Sequence, residues 1–140
     1  MPVIVVGTDG SDNSHRAVRW AAEEARLRGA KLLVIHSWTF PTATKGTDNL
    51  PHADLEAAAQ KVLDEAIGAI SDPSGIELER MVAPESPAQA LIQASEGADL
   101  VVVGSRGLGG FRGLLLGGVA QQVAHHAKCP VVIVPHEHGT

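Results

Sequence analysis

Gly104-Ser-Arg-Gly107, nine further residues and then Gly117-Gly118 form the segment of this chain best suited to chemistry. It follows directly on the apolar run Asp99-Leu-Val-Val-Val103. Glycines at the end of a buried strand let the main chain turn sharply and let a phosphate approach with no Cβ in the way. A helix that follows adds unpaired amides and the positive end of its dipole. This is anion-binding chemistry, and it points to a nucleotide. Two familiar phosphate motifs are excluded. A Walker A loop requires Gly-Lys-Ser/Thr, and no lysine follows a glycine here. A dinucleotide fingerprint needs a third glycine where Arg112 stands, and it belongs after the first strand rather than the fourth.

Such a loop must be held between a strand and a helix, and the chain alternates the two throughout. Strand-like runs occur at Val3–Gly7, Leu32–His36, Ile76–Val82, Leu100–Val103 and Val131–Val134. The first is apolar without alternation, as expected of a strand covered by helices on both faces. Ser11 to Ser14 offers several N-cap candidates, and Ala17, Val18, Ala21, Ala22 and Ala25 recur at helical spacing up to Gly29. A second helix carries Leu55, Ala58, Ala59, Val62, Leu63, Ala66, Ile67 and Ile70 on one face. Ser86-Pro-Ala-Gln89 starts a third helix that runs to about Glu96, and a fourth spans Gly118 to Ala127. Glu77, Glu79 and Arg80 make the third strand polar enough for a sheet edge. Trp38 to Ala53, with two prolines and no periodicity, reads as a lid or a merely mobile connection. The alternation predicts an α/β fold with a mainly parallel sheet.

At 140 residues the chain is expected to form one domain with a real core. A formal net charge of -5 argues against a nucleic-acid surface, and two Trp, two Phe and no Tyr leave no stacking platform for single strands. The one cysteine, Cys129, precludes an internal disulfide and fits a reducing compartment. The N-terminal apolar run is too short for a signal peptide, and no run approaches a membrane span. A cytoplasmic protein with no membrane partner is the expectation.

The glycine spacing Gly104-x2-Gly107-x9-Gly117 resembles the ATP-binding pattern of the universal stress protein family. So do Gly7-Thr-Asp-Gly-Ser11, His36, the Ser105–Phe111 stretch and Cys129-Pro-Val-Val-Ile-Val134, in the same order along the whole chain. The resemblance implies a single-domain open sheet of five parallel strands in the order 3-2-1-4-5, helices on both faces, like the adenine nucleotide alpha hydrolases. The chain order then reverses between strands one and four, where open α/β sheets bind ligands. By resemblance, Thr8, Asp9 and Gly10 lie beside the nucleotide and the Ser37 backbone reads the adenine edge. Val103, Gly104, Arg106 and Gly107 sit against ribose and phosphates, with Gly117, Gly118, Val119 and Ala120 around the phosphate tail. Asp9, itself anionic, suits a ribose hydroxyl or a bridging Mg2+ better than a phosphate; a plain turn carboxylate is the alternative. Arg106 and Arg112 either supply countercharge or are solvated.

The chain departs from the family where a Ser or Thr follows the last glycine: it has Gly118, and Ala120 two residues on. A hydroxyl at either place would donate a hydrogen bond to a phosphate oxygen, worth about 1.5–3 kcal/mol. Three functions follow. One is a regulatory stress-response protein that binds ATP, or AMP or cyclic AMP. Another is a slow ATPase; phosphoryl transfer needs a positioned water, a metal and a cationic clamp, and no general base or catalytic lysine stands out. The third is a stress-response dimerisation module without nucleotide. The family's pairing of the last strand implies a homodimer through Val131–Val134. His125-His126 makes a poor metal site, because adjacent helical histidines diverge by about 100°, and His136-Glu-His138 falls in a tail expected to be disordered. Cys129 reads as an apolar filler, His36 as a hydrogen-bonded structural histidine, and Trp20 and Trp38 as surface packing.

Overall fold

The computed structural model describes residues 1–37, 52–106 and 116–136. Their elements run β1 (Val3–Gly7), α1 (Asp12–Arg28), β2 (Lys31–Ser37), α2 (His52–Gly68), β3 (Glu77–Ala83), α3 (Pro87–Ser95), β4 (Leu100–Gly104), α4 (Gly118–His126) and β5 (Val131–Val134). All strand pairs are parallel, in the order β3-β2-β1-β4-β5.

The two-residue period of the strands divides the core. Ile4, Val6, Leu32, Val34, Leu100 and Val102 meet α1 and α2 through Ala17, Ala21, Ala25, Leu63 and Ala66. Val5, Ile35, Val101 and Val103 point the other way, onto Ala90 and Leu91 of α3 and Ala120 and Val123 of α4. Continuous valine runs are thus buried on both sides, which a solvent-facing sheet would not tolerate. Alanines on α1 let its backbone lie close to the sheet.

Helix ends are where the sequence places them, with small shifts. Ser11 caps α1 by accepting from Ser14 N, 3.2 Å away. Gly29, at φ 63°, closes the helix with Gly29 N donating to Arg26 O and Ala30 N to Ala25 O, the Schellman pattern. Ser86 caps α3, accepting from Gln89 N, with Pro87 in the first turn. Helix α2 begins at His52, inside the segment read as connection, and stops at Gly68, although Ile70 still packs on the core. Of the lid or mobile connection expected over Trp38 to Ala53, residues 38–51 lie outside the described residues.

β3 is an edge strand, as its charge suggests. Lys31 pairs with Glu79 and Arg80 with Asp64 along that side. The Lys31 ammonium donates to the Glu79 carboxylate, and that bond holds its pKa above the ordinary lysine value.

Candidate functional site

The sheet order reverses between β1 and β4, which pair through Ile4–Leu100, Val5–Val101 and Val6–Val102. The chain leaves both strands at the same level, and the polar residues that follow define the site. After β1, Thr8 N donates to Ile35 O (2.9 Å), and Thr8 O accepts from His36 Nδ1 (2.8 Å). A carbonyl can only accept, so the proton sits on Nδ1; His36 is a buried structural histidine, as read from its strand-end position. Its Nε2 is buried and has no partner among the described residues.

The Thr8–Ser14 segment folds on itself. Ser14 Oγ donates to Ser11 O (2.9 Å), so the Thr8 hydroxyl, 3.0 Å away, is the donor to Ser14. Asp9 N also donates to Ser14 Oγ and Gly10 N to Thr8 Oγ1, both at 3.3 Å. Asp9 Oδ1 accepts from Ser11 N (2.9 Å), an Asx turn at the mouth of α1. Gly10 stands at φ 85°, a left-handed conformation that a Cβ makes costly. Gly10→Ala is therefore expected to lower stability by about 1–2 kcal/mol, read as a lower urea midpoint with an unchanged slope.

The exit of β4 is held by a residue that sequence reading treated only as a cap candidate. Asn13 lies in the first turn of α1 and is 8% exposed. Its Oδ1 accepts from Arg106 N (2.7 Å) and Ser105 Oγ (3.4 Å), and its Nδ2 donates to Val134 O (3.1 Å). Ser105 N donates to the same Val134 carbonyl (2.9 Å), and Gly117 N donates to Ser105 O (2.6 Å). The signal available in the sequence was an amide side chain at the head of the Ala17–Ala21–Ala25 stripe, which had to be buried and therefore satisfied.

These bonds revise the expected amide cradle. The N–H groups of Ser105, Arg106 and Gly117 are used within the protein, so they are not donors in waiting. The first-turn amides of α4, at Gly118, Val119 and Ala120, have no acceptor among the described residues, and Gly117 as N-cap offers no side chain. Arg106 Nε is also buried without a partner among the described residues.

Side chains at the expected site divide sharply. Gly118 is exposed, with no described residue within 4 Å of where its Cβ would stand, and Val119 is 37% exposed. Ala120, by contrast, is 1% exposed and belongs to the core under α4. A hydroxyl there would enter the apolar core, which removes position 120 as a phosphate donor through its side chain. Val103 is likewise a core side chain, 3% exposed, so its side chain is not open to a ligand. Ser37 pairs with Ala83 and donates its hydroxyl to Glu85 O, tying β2 to the segment before α3. Gly107 and Arg112 lie outside the described residues, as do Trp38 and His138.

Among the described residues no group of three His, Cys, Asp or Glu side chains could hold a metal ion. His125 and His126 rings stand 6.3 Å apart and tilted by 52°. Burial, then Asp99, pushes the Cys129 thiol up, which disfavours the nucleophilic thiolate. Trp20 is 38% exposed on α1. No helix among the described residues is long and apolar enough to cross a membrane.

Comparison with known proteins places this geometry. The profile of the Universal stress protein family matches residues 1–135. A universal stress protein of Thermus aquaticus is 38% identical over 136 residues, covering 94% of this chain and 96% of the relative. One from Mycobacterium tuberculosis is 35% identical over 131 residues, covering 93% of this chain and 44% of the relative. The chain thus spans about half the length of the mycobacterial relatives it matches. Among solved structures, a universal stress protein in complex with cAMP is 34% identical, with a TM-score of 0.68 over 97% of this chain and 98% of that one. The Archaeoglobus fulgidus universal stress protein in complex with dAMP is 30% identical, with a TM-score of 0.67 over 96% and 97%. The sequence, the sheet order and these relatives agree: the chain belongs to the universal stress protein family.

Proposed function

We propose that this protein binds an adenine nucleotide in the crevice between the exits of β1 and β4 and acts as a homodimeric regulatory protein of the stress response. The observation that carries the reading is the set of unsatisfied donors there. The first-turn amides of α4 and the buried Nε of Arg106 all lack acceptors among the described residues. A phosphate supplies acceptor oxygens and negative charge at a helix N-terminus, the combination those groups require. Relatives 34% and 30% identical were solved with cAMP and dAMP, which supports an adenylate as the ligand class.

In this reading Gly117, Gly118, Val119 and Ala120 surround the phosphates with backbone groups. Gly104, Gly107 and the backbone of Val103 border the ribose, and Arg106 supplies countercharge. Thr8 and Gly10 shape the wall. The Ser37 backbone reads the base. Asp9, with Oδ1 held by the Asx turn, serves a ribose hydroxyl or a Mg2+ ion accompanying ATP. ATP is the preferred ligand, and AMP and cyclic AMP are its competitors.

The test is direct. Purified protein is denatured and its supernatant examined by mass spectrometry, and the stripped protein is titrated calorimetrically with ATP, ADP, AMP and cyclic AMP. Co-purified adenylate and saturable one-site binding are expected. No binding by any of the four would favour the nucleotide-free dimerisation module, which the bare Gly118 and the core-facing Ala120 keep in contention. Phosphate release equal in wild type and Asp9→Ala would assign any hydrolysis to a contaminant.

A further inference from the structure

We propose that Asn13 is the positioning residue of the nucleotide site, setting the path of the chain out of β4 and, through it, the placement of the α4 amides. The inference rests on the nucleotide-binding reading above. Ser11 already caps α1, so Asn13 is not spent on its own helix. Its carboxamide faces two donors on one side, Arg106 N–H and Ser105 O–H, and a carbonyl, Val134 O, on the other. That arrangement fixes which end is oxygen and which is nitrogen. A Cβ on Gly104 would lie 2.9 Å from Asn13 Oδ1 and 3.3 Å from the Asn13 carbonyl carbon, so glycine at 104 is what lets β4 approach this side chain.

Asn13 therefore pins residues 105 and 106 from the α1 side while Val134 O pins Ser105 from the β5 side. His136 N, donating to Ser105 Oγ at 3.2 Å, adds a second tie to the segment after β5. Gly117, the N-cap of α4, then hangs from Ser105 O. Two links in series, Asn13 to residues 105 and 106 and Ser105 O to Gly117 N, connect the Asn13 carboxamide to the amides that take the phosphates. Asn13 itself does not touch the ligand; it acts on where those donors stand.

The experiment compares ATP with adenosine. Asn13→Ala is expected to remain folded, to weaken ATP at least tenfold in calorimetric titration, and to leave adenosine within twofold of wild type. Hydrogen exchange at the Arg106 amide should accelerate. A general structural defect would instead weaken both ligands alike, and that result overturns the proposal, as does ATP affinity within twofold of wild type. Should Asn13→Ala fail to fold, Asn13→Ser is read by the same criteria, because its side chain is too short to bridge Arg106 and Val134. If wild-type protein binds none of the nucleotides, the functional reading falls and this proposal falls with it; if wild type binds and Asn13→Ala binds equally, this proposal alone falls.

Discussion

Ile133→Pro is expected to leave a folded monomer in place of the proposed dimer, whereas Val132→Pro should damage the subunit itself. The difference lies in which way each backbone group points. Val101 N donates to Pro130 O and Ser105 N to Val134 O, so the even-numbered residues of β5 turn their peptide groups toward β4. In a parallel ladder the alternate residues then turn theirs away. Val131 and Ile133 therefore present N–H and C=O along the open edge of the sheet, which is where a second copy would pair. Proline at 133 removes an outward donor and keeps the β4–β5 ladder; proline at 132 removes a ladder bond. Ile133 packs in part against the core, so Ile133→Ala serves as the control for lost packing and should stay dimeric. Light scattering on the size-exclusion peak gives the mass, and circular dichroism gives the fold. A dimer that survives both Ile133→Pro and Val131→Pro would rule out the β5 edge as the interface.

Gly118→Ser is expected to tighten ATP roughly tenfold or more, and Ala120→Ser is not. A hydroxyl donating to a phosphate oxygen is worth about 1.5–3 kcal/mol, and about 1.4 kcal/mol corresponds to a factor of ten in affinity. A Cβ at Gly118 meets no described residue within 4 Å, so among the described residues serine is free of clashes at the first turn of α4, beside amides that have no acceptor there. Ala120 is 1% exposed among Val101, Val103 and Val123, so a hydroxyl there faces apolar carbon. Burying it without a partner costs about 1–3 kcal/mol, which should appear as lost stability with ATP affinity unchanged. Paired calorimetric and urea titrations separate the two outcomes. Equal ATP affinity in wild type and Gly118→Ser would remove the missing hydroxyl as an explanation for anything this protein does.

Much of the architecture was legible along the chain because it depends on local rules. Val3–Gly7 and Val131–Val134 were bounded within the sequence itself, and Gly29 and Ser86 mark helix ends through backbone geometry that neighbours alone determine. The start of α2 was not legible: Pro51 and the polar residues before it suggest loop, yet His52 is already helical and Asp54 lies in the first turn, where it complements the helix dipole. The glycine-rich exit of β4 was legible as a sharp turn after a buried strand. Which of its amides stay available was not.

Composition and periodicity decided that this chain would bury Val-rich parallel strands between alanine-faced helices, and glycine spacing marked the candidate anion site. The tertiary structure alone decided the role of Asn13, whose partners Ser105, Arg106 and Val134 are 92, 93 and 121 residues away. It alone turned Ala120 into the core and Gly118 toward solvent. A residue's helical or strand period reports which neighbours share its face. It carries no information on which distant donor will meet its acceptor, because that pairing exists only once the sheet has brought three strand ends together.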